Sequence, residues 1–186
     1  MTKFEIAYAK TAQLESGYSN LKSDNGGETY CGISRKNNPD FIGWKVIDNY
    51  KSKRPIQRGE IIKDSILESL IKSFYKAKYY DSNNLESINN QDIINEVYDT
   101  GVNMGIFVAA KFVQQGLNLL NRNQKDYVDL KEDGKLGVVT MSILNRYPYP
   151  QSFIKVLNGL QFMRYVDICL NDSAQEENFL GWLKRI

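Results

Sequence analysis

The chain has 186 residues, 42% hydrophobic and 25% charged, a balance that suits one domain or two small modules sharing a core and excludes a disordered or collagen-like chain. Its 24 basic and 22 acidic residues leave a formal charge of +2 with no basic stripe, so there is no nucleic-acid footprint. The absence of histidine removes the Ser-His and Cys-His nucleophile systems and the commonest zinc ligand, and leaves carboxylates as the natural acid–base groups near neutral pH.

In chain order, Phe4, Ala7, Tyr8, Thr11 and Leu14 recur at helical spacing and predict a first helix ending near Glu15, where Ser16-Gly17 follows. The next residues, to 33, have no helical period. Ser23-Asp24-Asn25-Gly26-Gly27 is a turn signal, and Glu28 to Ile33 reads as a short strand of a small β-hairpin. Asn38-Pro39-Asp40 reads as a helix start leading to Phe41, Trp44, Ile47 and Tyr50, and Arg54-Pro55 breaks that helix. Asp64 is placed to cap an amphipathic helix running through Leu67, Ile71, Tyr75 and Tyr79. The polar stretch from Ser82 to Asn90 is the best boundary between modules, giving 1–88 and 89–186 packed into one fold.

A helix with Ile94, Val97, Tyr98, Gly101 and Val102 follows, with Gly105 at its end. Another carries Ala109, Phe112, Val113, Leu117 and Leu120. Residues 121–135 are loop-like, Thr140 is placed to cap a short helix, and Tyr147-Pro148-Tyr149-Pro150 breaks the chain. A last long helix carries Phe153, Val156, Leu157, Leu160 and Arg164, and Phe179 to Arg185 forms a short amphipathic tail. The pattern predicts a mainly α protein, or α+β with a small β-hairpin. No apolar run approaches the roughly 20 residues that span a bilayer, so membrane insertion is not expected. The opening residues lack the apolar core of a secretory signal, so synthesis in the cytoplasm is expected. Cys31 and Cys169 are too few to suggest a disulfide framework, and their pairing is left open.

The stretch from Glu15 to Ser34 carries the chemistry. Glu15 sits where a helix hands over to a turn-rich loop, Asp24 lies on that loop, and Thr29 follows in the short strand. Two carboxylates and a hydroxyl around one cleft suit glycosidic bond cleavage, which needs a proton donor for the leaving oxygen and a partner carboxylate. Partial burial keeps such a donor protonated. By spacing alone, Glu15 is equally an ordinary helix-end residue and Asp24 an Asx-turn former.

These residues resemble glycoside hydrolase family 108, a lysozyme family. The resemblance rests on Glu15-Ser16-Gly17-Tyr18, Asp24, Gly26-Gly27-Glu28-Thr29 and Gly32-Ile33-Ser34. It continues through Tyr98-Asp99-Thr100-Gly101-Val102-Asn103-Met104-Gly105, Asp133 to Thr140 and Gly181 to Arg185, which resemble the peptidoglycan-binding-like domain that usually follows. Ser16 stands where Gly is common, and Cys31 where an aromatic is common.

The resemblance implies a lysozyme-like fold and N-acetylmuramidase activity on peptidoglycan glycan strands, with no metal and no organic cofactor. Glu15 is then the catalytic acid. Asp24 and Thr29 resemble the residues that hold the attacking water in phage-type lysozymes. Tyr18, Tyr98, Asp99 and Asn103 are candidate substrate contacts; Asp99 and Asn103 share a helix face and equally suit a helix-end hydrogen-bond network. A lytic transglycosylase and a non-catalytic wall-binding accessory of secretion remain alternatives. The family also implies action on the cell wall or in the periplasm, reached through a holin or a secretion machinery.

Overall fold

The apolar spacings become eight α-helices and three two-residue strands among the residues that the computed structural model describes, 1–13, 17–20 and 27–186. In chain order these are α1 (Lys3–Ala12), β1 (Tyr18–Ser19), β2 (Thr29–Tyr30), β3 (Ile33–Ser34), α2 (Gly43–Lys53) and α3 (Ser65–Tyr75). Then come α4 (Gln91–Met104), α5 (Ile106–Leu120), α6 (Val138–Arg146), α7 (Pro150–Asn171) and α8 (Glu176–Trp182). A π-helical turn, Lys76–Tyr80, extends α3. The chain divides into two units, Tyr8–Lys78 and Met1–Ala7 with Tyr79–Ile186. No described helix is long and apolar enough to cross a membrane.

In the Tyr8–Lys78 unit, the three strands form an antiparallel sheet in the order β1-β2-β3. Tyr18 faces Tyr30, Ser19 faces Thr29, Thr29 faces Ser34, and Tyr30 faces Ile33. The stretch expected as one strand, Glu28 to Ile33, is instead a hairpin in itself, β2 and β3, because the chain reverses within it. Its two-residue turn is Cys31-Gly32, with φ of 46° and 76°. Positive φ at both positions gives the backbone twist that matches paired strands. Tyr30, Ile33, Trp44, Ile47, Leu67, Ile71 and Tyr75 form the core. The Tyr30 hydroxyl accepts from Ile62 N at 2.8 Å, and burial pushes this phenol up to about 12.

Asp64 caps α3 as expected, its Oδ1 accepting from Leu67 N at 2.9 Å. The helix expected from Asn38-Pro39-Asp40 starts only at Gly43. The Asn38 carbonyl accepts from Phe41 N at 3.2 Å and from the Trp44 indole at 2.8 Å. The Phe41 ring folds back so closely that a Cβ on Gly43 would meet it at 2.3 Å. A tight turn therefore occupies the first expected helical turn.

In the larger unit, α4 and α5 pack on each other and α7 packs against both. Ile94, Val97, Tyr98, Ala110, Val113, Leu117, Phe153, Leu157 and Tyr165 fill the interface. Asn90 caps α4 by accepting from Asp92 N and Ile93 N. Gly105 ends it with φ 92° and ψ 149°, a region essentially restricted to glycine. Gly101 needs no such freedom, because a Cβ there would meet Ala109 and Ile106 at 3.9 Å, an ordinary contact. The Ser82–Asn90 stretch lies inside this unit, where Asn83 is buried and donates to Ile106 O at 3.0 Å.

The 121–135 loop is fastened to α5 by a row of amides. Gln114 Nε2 donates to Asp133 Oδ1 at 2.9 Å and to Lys135 O at 3.0 Å. Asn118 bonds Leu130 O and N, and Asn121 bonds Tyr127 O and Asp129 Oδ1. These three residues at i, i+4 and i+7 occupy one helix face and stand in for a paired strand. Helix α6 starts at Val138, two residues before Thr140, so Thr140 is a buried residue of its first turn and Gly137 takes the cap position. Among the described residues there is no disulfide; Cys31 and Cys169 are both thiols.

Candidate active site

Glu15 and Asp24 lie outside the described residues. In the sequence, Asp24 lies between Tyr18 and Glu28. The Tyr18 hydroxyl donates to Glu28 Oε1 at 2.9 Å. Lys51 Nζ donates to the same oxygen at 2.7 Å, and Arg35 Nε pairs with Oε2 at 2.8 Å. Glu28 is thus the counter-ion of two cations. Arg35 also forms a two-pronged pair with Asp48, at 3.1 and 2.6 Å, and its guanidinium lies 4.5 Å from the Trp44 ring centre.

The cluster shifts its members consistently. The bond to Glu28 raises Lys51 above the ordinary lysine range. Burial, with help from Glu28, raises the Tyr18 phenol. The Arg35 fork holds Asp48 below the usual carboxylate range. Glu28 is marked in the sequence only by its place inside the Gly-Gly-x-Thr motif, which leaves that position open. The partners Arg35, Asp48 and Lys51 come from β3's end and from α2, so only folding brings them to it.

Thr29 opens β2, half-buried, with its Oγ1 donating to Gly27 O at 3.2 Å. Its backbone pairs with both Ser19 and Ser34, which fixes it at the centre of the sheet. Tyr18 lines a groove of about 420 Å³ with Asn20, Lys51, Pro55, Ile56 and Arg58. The backbone of Gly59 and Glu60 extends the sheet beside β1: Gly59 N donates to Tyr18 O at 2.7 Å, and Tyr18 N to Glu60 O at 3.0 Å. Gly17 makes this approach feasible, since a Cβ there would lie 2.5 Å from Glu60 O and 2.6 Å from Gly59 O. Backbone atoms cannot swing aside as a side chain can. Gly17→Ala should therefore cost about 1–3 kcal/mol, the usual range for overpacking, read as a lowered melting temperature. An unchanged melting temperature would show that the 59–60 segment gives way freely.

The other candidate contacts belong to the larger unit, on α4. Tyr98 is 0% exposed, its ring edge-to-face with Phe4 at 6.1 Å and Tyr80 at 6.2 Å, so it offers no surface to a ligand. Asp99 Oδ1 accepts from Arg185 Nη1 at 2.8 Å, and the two side chains are only 13% and 10% exposed. Asn103 Oδ1 accepts from the Tyr165 hydroxyl at 2.9 Å. That hydroxyl accepts from Gln161 Nε2 at 2.7 Å, and Thr100 Oγ1 donates to Gln161 Oε1 at 3.1 Å. Tyr165 in turn stacks on Trp182 at 5.1 Å. Asp99 thus ties Arg185 to α4, and Asn103 ties Tyr165 of α7 to it.

The sequence profile of glycosyl hydrolase 108 matches residues 8–105. The chain belongs to this family. The match spans Glu15, Asp24 and Thr29 and ends at Gly105, so the motifs at 133–140 and 181–185 lie beyond it. As a family 108 member the protein is a glycoside hydrolase of the lysozyme type, and peptidoglycan is the substrate that fits the family. Among solved structures, SagA of Brucella abortus is similar in fold, with a TM-score of 0.63 at 16% identity. The alignment covers 98% of this chain and 88% of SagA. The mainly α, lysozyme-like architecture with one small sheet agrees with the expected fold class. No curated protein matches the sequence significantly.

Proposed function

We propose that this family 108 enzyme is an N-acetylmuramidase that hydrolyses the β-1,4 bond between N-acetylmuramic acid and N-acetylglucosamine. Glu15 protonates the leaving oxygen. A water attacks the anomeric carbon, held by Asp24 and by the Thr29 hydroxyl, while Tyr18 and its groove receive part of the glycan. The observation that carries this reading is the family match over 8–105, which contains all three residues.

Elimination supports it. Of the described carboxylates in the Tyr8–Lys78 unit, Glu28 and Asp48 are counter-ions of Arg35, Glu60 of Arg54, and Asp64 is a helix cap. Asp40 and Glu68 are exposed side chains. Glu15 and Asp24 are left for the chemistry. The segment from 89 onward serves as a helical wall-binding module. The enzyme is made in the cytoplasm and reaches the wall or periplasm through a holin or a secretion machinery, for lysis or for local wall remodelling.

The purified full-length protein should clear a suspension of peptidoglycan sacculi, and do so equally in the presence of EDTA. Sacculi that stay turbid at any protein concentration would reject the reading.

A further inference from the structure

A groove in the larger unit lies outside the span of the family match. It is formed by the end of α5, the turn after it, the end of α6 and the Tyr-Pro-Tyr-Pro run, and has a volume of about 630 Å³. That is the size range of small-ligand sites. Three tyrosines line it. Tyr127 is fixed by its hydroxyl donating to Leu117 O at 2.5 Å. Tyr147 is wedged between Phe153 at 6.2 Å and Tyr149 at 6.0 Å. Tyr149 is 64% exposed, a large ring left open to solvent on a backbone that Pro148 and Pro150 hold stiff.

Two arginines share the groove, and they differ. Arg122 is paired at 2.9 and 2.8 Å with both oxygens of Asp126, so its charge is compensated. Arg146 commits only Nε, to Ser142 O at 3.1 Å, and among the described residues no carboxylate pairs with its guanidinium. The groove therefore offers open aromatic faces beside one uncompensated cation that retains donors for a carboxylate.

A pyranose presents an apolar C–H face to an aromatic ring. Of the sugars in the enzyme's substrate only the muramyl unit carries carboxylates: on its lactyl ether where no peptide is attached, or on its stem peptide, whose amide bond takes up the lactyl carboxyl. We propose that this groove is a second peptidoglycan-binding site, in which a muramyl unit stacks on Tyr149 and its carboxylate pairs with Arg146. This rests on peptidoglycan being the substrate. It adds to that reading a site built from residues that take no part in bond cleavage, and it gives the groove a preference for muramyl glycan over uncharged glycan.

The test uses the full-length protein and three soluble probes, with binding read by calorimetry. They are the disaccharide-peptide GlcNAc-MurNAc-peptide, the same disaccharide without peptide, and diacetylchitobiose, which has no carboxylate. Arg146→Gln should weaken binding of the disaccharide-peptide at least tenfold and leave chitobiose unaffected. Loss on the peptide-bearing probe alone assigns a stem-peptide carboxylate; loss on the peptide-free disaccharide as well shows that Arg146 also takes the lactyl carboxylate where no peptide is attached. Tyr149→Ala should also lose tenfold, and Tyr149→Phe should bind within twofold of wild type. Both altered side chains are exposed, so melting should not change. Wild-type-like binding by Arg146→Gln and Tyr149→Ala, in a protein that still clears sacculi, would overturn the second site and leave the proposed function standing. A wild-type protein that neither clears sacculi nor binds a muramyl probe would overturn both.

Discussion

Glu15→Gln is expected to abolish sacculus clearing while leaving the melting temperature unchanged. The amide keeps the size of the carboxyl group but has no proton to give to the leaving oxygen. A positioned general acid is worth roughly 10²–10⁴-fold, so even the low end of that range is an unmistakable loss. Substrate binding should survive, because the amide still fills the same space, and the defect should appear in kcat and kcat/KM together. A variant that retained more than about a tenth of the wild-type rate with unchanged melting would fall outside that range and remove Glu15 from the role.

Asp24→Asn should cause a comparable loss in turnover with little change in KM. An amide cannot take a proton from the attacking water, and general-base assistance falls in the same roughly 10²–10⁴-fold range. Geometry gives the companion expectation. If Asp24 activates a water in an inverting reaction, its carboxyl group in the substrate complex should lie about 6.5–9.5 Å from that of Glu15. A spacing near about 5 Å would instead indicate a covalent, retaining route. Near-normal turnover by Asp24→Asn would leave Glu15 as the sole essential carboxylate and favour internal attack by a sugar hydroxyl.

What the sequence made legible was local. The Asp64 cap, the stop at Arg54-Pro55 and the glycine that ends α4 each depend on residues a few positions apart, and all three are where the residues place them. The motif around Glu15 pointed to the family because it too is local in sequence. What escaped depends on residues far apart. β1 has only two residues and no period to read; it exists because Thr29 and Tyr30 pair with it and the 59–60 backbone lies beside it. The late start of α2 comes from the Trp44 indole taking the Asn38 carbonyl. The anchoring of Glu28 by Lys51, and of Asp99 by Arg185, joins residues 23 and 86 positions apart, beyond the reach of any helix or strand period. Twelve tyrosines gave no reason to single out any pair, and only the fold sets Tyr147 and Tyr149 edge to face over a groove that also holds Arg146.

The most direct measurement of the central claim is the mass of the muropeptides released by the wild-type enzyme, before and after borohydride reduction. A muramidase that uses water leaves N-acetylmuramic acid as a reducing end, so each product should gain two hydrogens on reduction and the reduced sugar should be muramitol. Products ending in anhydro-muramic acid, which borohydride leaves unchanged, would contradict hydrolysis, and reducible products ending in N-acetylglucosamine would contradict the assigned bond.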